Sequence, residues 1–181
     1  MKPGAVQPTD REALECVAGV LEALTLLQEA DLVHRDVKPQ NIALRGGDWA
    51  QPVLLDLGYI RAVTGTSLTV YPNHIGTFEY MAPEQLRREP AKMRSDVYAL
   101  GLVLFEVLTG ERPFLKVGER LLITDLVDRM IDPAWPDANL SAQIASTIRP
   151  FVLEMISAAA HDRPSVGRAL KEVRALLVAQ R

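Results

Sequence analysis

His34-Arg35-Asp36-Val37-Lys38-Pro39-Gln40-Asn41 is the stretch on which the reading of this chain turns. It places a carboxylate at Asp36, an ammonium at Lys38 and a carboxamide at Asn41. A loop that short holds all three side chains over one spot. Asp56-Leu57-Gly58 follows twenty residues after Asp36, and Gly76-Thr77-Phe78-Glu79-Tyr80-Met81-Ala82-Pro83-Glu84 comes after that. Asp56 adds a second carboxylate, and Gly58 lets the chain turn sharply behind it. A lone Asp-x-x-x-x-Asn is ordinary loop chemistry, and a lone Asp-x-Gly is ordinarily a turn. Three such motifs in fixed order are far more specific.

Outward from these motifs, the 181 residues fit one domain able to bury a core without staples. Hydrophobic residues make up 48% and charged residues 24%, the balance of a globular protein. A net charge of -3 argues against nucleic acid or an anionic membrane as partner. Cys16 is the single cysteine, so no disulfide forms within the chain, and a reducing, cytoplasmic setting is expected. Its apolar neighbours predict a packed, inert thiol. The apolar run from Tyr98 to Phe105 is far shorter than the ~20 residues of a membrane span, so no membrane is expected.

Helical period opens the chain, with Leu14, Val17, Ala18, Leu21 and Leu24 on one face. Thr9 and Glu12 read as a capping box at its start. Leu32-Val33, Ile42-Ala43-Leu44 and Val53-Leu54-Leu55 are short apolar runs. Gly46-Gly47-Asp48 supplies turn chemistry for a small hairpin. Residues 59–80 show no sustained period and carry Thr64, Thr66, Ser67, Thr69 and Thr77. A stretch like this in a compact domain is functional or disordered. Residues 95–109 form a helix with almost no polar face, so it is buried on all sides, with Gly110 ending it. Residues 119–131 and 141–158 read as helices, Pro150 marking a break or a fresh start. Ser165 caps a last helix through Val166, Leu170, Val173 and Leu176.

The three motifs resemble the catalytic loop, the metal-binding turn and the end of the activation segment of a protein kinase. The resemblance is to the C-terminal lobe of eukaryotic-like Ser/Thr protein kinases and runs from about Thr9 to Arg181. Lys38-Pro39 resembles the Ser/Thr type rather than the tyrosine type. Tyr80-Met81-Ala82-Pro83-Glu84-Gln85 is similar to bacterial members. The fold implied is mainly α, within a family that is α+β overall: a C-lobe helical bundle around the buried 95–109 helix, with a small β-hairpin carrying the catalytic loop. Residues 1–181 are then one kinase-type domain, with 34–41 as catalytic loop and 56–84 as activation segment.

The resemblance also implies roles. Phosphoryl transfer needs an oriented hydroxyl, neutralised phosphate charge and metal ions at the right oxygens. Asp36 would take or orient the proton of a protein substrate's hydroxyl. Lys38 would set its ammonium on the transferred phosphate, and Thr77 would touch both. Asn41 and Asp56 would supply oxygen ligands to Mg²⁺, a hard cation. Lys38, Asn41, Ala43 and Asp56 would border ATP. Arg35 would meet a phosphorylated activation-segment residue. Asp96 would hold the catalytic-loop backbone, Arg163 would pair with Glu84, and His34 would pack under the metal turn. His74 and His161 carry no such signal.

The chain also departs from the pattern. No glycine-rich loop, Val-Ala-x-Lys strand or partner glutamate precedes Thr9, so an N-lobe is expected to be absent. Leu57 stands where phenylalanine is usual. Ala43 stands where a larger residue packs beneath adenine. The reading taken forward is an ATP- and Mg²⁺-dependent Ser/Thr protein kinase domain that is incomplete without an N-lobe. Its alternative is a non-catalytic, kinase-like binding module: a pseudokinase or a fragment. Intact Asp36, Lys38, Asn41 and Asp56 favour the first, and the missing nucleotide lysine favours the second. A small-molecule phosphotransferase shares the Asp-x-x-x-x-Asn loop, but Lys38-Pro39 and Ala82-Pro83-Glu84 point to a protein substrate. Leu32, Ile42, Leu44, Leu55 and Leu57 would then present apolar surface to a chain supplying the N-lobe or to a second copy.

Overall fold

The computed structural model describes residues 7–56, 61–62, 78–112, 114, 119, 122–132 and 144–180. Leu57, Gly58, Thr77 and the hydroxyls of Thr64, Thr66, Ser67 and Thr69 lie outside the described residues.

Helix α1 (Asp10–Glu29) starts where Thr9 predicts. Thr9 Oγ1 accepts from the Glu12 N–H at 3.2 Å, and Glu12 returns a carboxylate to the Thr9 N–H at 2.8 Å. Ala13, Leu14, Cys16, Val17, Val20, Leu21 and Leu24 bury its inner face. Asp31, at φ +55°, turns the chain into strand β1 (Leu32–Val33). A single 3₁₀ turn at Pro39–Asn41 leads into β2 (Ile42–Leu44), which pairs antiparallel with β3 (Pro52–Leu54). Gly46 and Gly47, at φ +63° and +80°, make the reversal between them, as their chemistry predicts. β1 belongs to a different pair. It lies antiparallel to β4 (Arg61–Ala62), inside the stretch whose sequence shows no period. Two residues cannot display a period of two, so nothing in the sequence announces β4.

After a 3₁₀ turn at Phe78–Tyr80, the short helix α2 (Pro83–Leu86) precedes α3 (Met93–Thr109). α3 is buried along nearly its whole length, from Ser95 to Phe105 without a break. It begins two residues before the expected start. Ser95 lies in its first turn, its hydroxyl accepting from the Lys92 N–H at 3.0 Å. Gly110 ends the helix at φ +74°. Helix α4 (Ile123–Ile131) is shorter than the 119–131 expected, with Glu119 and Leu122 outside it. The helix expected over 141–158 is α5 (Arg149–Met155). Residues 144–148 make bends and turns instead, and 141–143 lie outside the described residues. Pro150 explains the shift. It has no N–H and fits only the first turn, so the helix starts at its door. Ser165 caps α6 (Val166–Ala179), its Oγ accepting from the Arg168 N–H at 3.3 Å.

Helix α1 packs against α6, α3 and β3, and α3 packs against α5. Two glycines set how closely. A Cβ on Gly19 would stand 2.5 Å from Pro52 Cγ, and one on Gly101 would stand 2.7 Å from Met155 Cβ. The result is a helical bundle around α3 with two small antiparallel pairs at one end among the described residues. Among the described residues, no helix is long and apolar enough to cross a membrane. Burial pushes the Cys16 thiol up to about 11, which suits a packed, inert side chain.

Candidate functional site

The loop 34–41 hangs from α3. Asp96, in its first turn, accepts from the backbone N–H of His34 through Oδ2 and of Arg35 through Oδ1, each at 2.8 Å. Burial pushes the Asp96 carboxyl up to about 7, against those two hydrogen bonds and the nearby Arg35 charge. Between them the two bonds fix the direction in which the loop leaves β1. Arg35 then sits at φ +72°, a conformation that a residue with a Cβ holds only when its surroundings impose it.

His34 joins the loop to the Asp56 turn. Its Nε2 lies 3.0 Å from the Leu55 carbonyl, and its Nδ1 faces the Asp36 N–H at 3.4 Å. A ring with its proton on Nε2 satisfies both contacts. Burial, outweighing the Leu55 bond and the nearby carboxylates, holds this imidazole below its ordinary range and therefore neutral at pH 7. Leu55 is tied a second time, its N–H donating to the Asn41 carbonyl at 2.8 Å. The residue before Asp56 is thus gripped by both ends of the loop. Asp56 follows at φ +61° and is exposed.

Asp36, Lys38 and Asn41 converge. Lys38 Nζ lies 2.9 and 2.7 Å from the two Asp36 carboxylate oxygens. Asn41 Nδ2 donates to the other side of the same residue, to its carbonyl and to Oδ2, both at 2.8 Å. With Nδ2 so engaged, the Asn41 carboxamide oxygen turns away from Asp36. Asp36 and Asn41 are buried, and Lys38 covers them half-exposed. Asn41 and Asp56 therefore offer oxygen donors, the kind that Mg²⁺ takes alongside phosphate oxygens. Ala43, two residues after Asn41, sits in the middle of β2 opposite Val53. Of the apolar row expected to be bare, Leu55 is 42% exposed, while Leu32, Ile42 and Leu44 are half-buried. Gly58 and Thr77 fall outside the described residues.

Glu84 and Arg163 meet 79 residues apart in sequence. Arg163 grips Glu84 with both terminal nitrogens, at 2.7 and 2.9 Å. Its remaining N–H groups reach the carbonyls of Ser157, Arg94 and Ala158. The guanidinium also stacks 4.6 Å over the Tyr98 ring. Burial alone would raise the Glu84 carboxyl. Arg163, with help from Ser95, outweighs burial and holds it below the usual carboxylate range.

The sequence reading missed two features here. Tyr80 donates to Glu106 on α3, and Arg112 pairs with Glu79 at 2.5 Å, so the 3₁₀ turn at Phe78–Tyr80 is pinned to the end of α3. Gln85 donates to the Arg35 carbonyl at 3.2 Å. A buried amide three residues into a four-residue helix was visible in sequence only as polarity directly after Pro83-Glu84.

The family profile described as Protein kinase domain matches residues 4–173. The serine/threonine-protein kinase PknB of Mycolicibacterium smegmatis is 43% identical over 156 residues, 85% of this chain and 24% of that protein. PknB of Mycobacterium tuberculosis is 43% identical over 145 residues, 77% of this chain and 22% of that protein. A probable serine/threonine-protein kinase PknB of Corynebacterium glutamicum is 35% identical over 160 residues, 86% of this chain and 24% of that protein. The chain spans about a quarter of the length of these curated relatives.

Proposed function

This chain belongs to the protein kinase domain family, of the bacterial Ser/Thr type, and from that premise we propose that its Asp36 loop transfers the γ-phosphoryl group of ATP to a protein hydroxyl. One observation carries the reading: Lys38 and Asn41 converge on the Asp36 carboxylate while Leu55 ties the Asp56 turn to the same loop. Asp36 accepts the hydrogen bond of the incoming serine or threonine hydroxyl and aims its oxygen at phosphorus. Lys38, already on Asp36, bridges that carboxylate to the equatorial oxygens of the transferred group. Asn41 and Asp56 would hold Mg²⁺, which would neutralise phosphate charge. His34, neutral, acts through the backbone it holds rather than on the substrate. Arg35 would offer its charge to a phosphorylated residue of the 56–84 segment, and by the family resemblance Thr77 would act with Asp36 and Lys38.

The half-exposed Leu55 beside Asp56 fits cover by a second, β-rich lobe that completes the nucleotide pocket, carried on the same polypeptide or another chain. Transfer of labelled phosphate from ATP to a protein acceptor tests the function. In the protein with its nucleotide pocket complete, Asp36→Ala lowers the rate by about 10²–10⁴ while Mg·ATP binding persists. Asp56→Asn removes the Mg²⁺ dependence of binding. Equal rates for wild type and Asp36→Ala would overturn the assignment. Nucleotide binding without transfer in the wild type would favour the non-catalytic binding module.

A further inference from the structure

Gln85 is a polar side chain that the phosphoryl-transfer reading leaves without a task, yet only 3% of it is exposed. Two bonds orient its amide. Oε1 accepts from the Ala82 N–H at 3.0 Å, and Nε2 donates to the Arg35 carbonyl at 3.2 Å. The reverse amide would set donor against donor and acceptor against acceptor, so the orientation is determined. The first bond closes the start of α2, as a residue at that helix position commonly does. The second does nothing for the helix. It crosses 50 residues of sequence to the catalytic loop.

What it meets there is the strained residue. Arg35, at φ +72°, is held on both sides of its Cα. Asp96 takes its N–H at 2.8 Å, and Gln85 takes its carbonyl. That carbonyl belongs to the peptide unit whose N–H is that of Asp36, and the N–H faces His34 Nδ1. The plane leading into Asp36 therefore carries Gln85 on one edge and His34 on the other. Gln85 is the member of this set that comes from α2, directly after the 56–84 segment. Its own helix is anchored next door by the bidentate Glu84–Arg163 pair.

We infer that Gln85 is a positioning residue for Asp36: it carries the placement of α2 to the peptide that aims the Asp36 carboxylate. This rests on the reading of Asp36 as the group that takes the substrate hydroxyl. A cap alone would make the Ala82 bond and leave the catalytic loop indifferent.

The test compares Gln85→Glu and Gln85→Ala with wild type. The glutamate keeps an oxygen for the Ala82 N–H. Ionised, it has no donor for the Arg35 carbonyl; protonated, its O–H replaces the lost N–H. Burial favours the protonated form, so it is reached at mildly acid pH. Phosphate transfer by Gln85→Glu should fall about tenfold at about pH 8 and recover towards wild type near pH 6, in kcat rather than KM. Gln85→Ala should stay low at both. The wild-type profile, run in parallel, accounts for His34, Asp36, Glu84 and Asp96, and for the Arg35 charge. Amide hydrogen exchange gives a readout that needs no activity: Gln85→Ala should speed exchange at Asp36 about tenfold and leave α3 unchanged. A wild type that, with its nucleotide pocket complete, transfers no phosphate but shows this coupling would sink the kinase reading and support the link. Unchanged exchange at Asp36, with superimposed pH profiles for Gln85→Glu and wild type, would overturn the inference and leave Gln85 a cap.

Discussion

Arg163 has five N–H groups, and all five find acceptors: two oxygens of Glu84 and three carbonyls. No lysine can reproduce that fork, because an ammonium has three donors and no plane. Arg163→Lys and Glu84→Gln should each cost about 3 kcal/mol at neutral pH, since each leaves a buried partner poorly matched. The pH dependence has a definite sign. Glu84 is held below its usual 4.5, so its contribution is present above that value and lost as pH falls through the lower folded value. Denaturant titrations should therefore show wild type and Glu84→Gln converging as pH drops below 4.5. Asp96 runs the other way. Raised to about 7, its protonated form favours the fold at low pH, and that contribution fades as pH rises through 7. A Glu84→Gln deficit that stayed constant from neutral to acid pH would show that the charge of the pair contributes nothing.

At the scale of elements, close helix approach is the determinant most easily broken. α3 and α5 approach so nearly at Gly101 that a methyl would stand 2.7 Å from Met155 Cβ and 2.8 Å from Ile156 Cγ2. Gly101→Ala should improve helix propensity and still destabilise, by about 1–3 kcal/mol, because the core is already full. Thermal unfolding would show a drop of about 2–4 °C for each kcal/mol in a domain of this size. An unchanged midpoint would mean that α5 slides at little cost. α1, α3 and α6 are legible in sequence because each advertises itself locally, whereas the four-residue α2 is not. Thr9 with Glu12 marks α1, the unbroken apolar run marks α3, and Ser165 marks α6. The limits of α3 and α5 are less legible, since Ser95 and Pro150 each fit more than one helix position. β4 is not legible at all. Its two residues pair with β1 through backbone groups, which no side-chain pattern encodes.

For the molecule as a whole, the convergence of Asp36, Lys38 and Asn41 was readable because it packs into a few consecutive residues. The supports Asp96 and Arg163 were expected only through the family resemblance, since a lone carboxylate in a helix or a lone arginine in a loop names no partner by itself. Gln85 and the Tyr80–Glu106 contact are long-range and use common polar residues, so they had no local signature. Among the described residues, exposed large apolar side chains are Leu26 on α1, Leu55 beside the Asp56 turn, Val178 on α6, and Leu122, Ile123 and Ile131, which share α4 and its start. Leu122 and Ile123 are 71% and 43% exposed, so Leu122→Lys with Ile123→Lys should leave stability within about 0.5 kcal/mol per site. The double variant should bind less of an apolar dye at an unchanged denaturation midpoint. A lower midpoint would show that α4 relies on those side chains for packing. Cys16 offers a consequence of another kind. It is the chain's single cysteine, buried on the face of α1 that meets the bundle, with its thiol pushed up to about 11. A disulfide reagent at neutral pH meets almost no thiolate there and no open path to the sulfur. Its reaction rate then becomes a clock for the detachment of α1. Guanidine should quicken labelling along the slope expected for exposing that helix, and labelling that ignored denaturant would place the sulfur within reach of solvent in the native state.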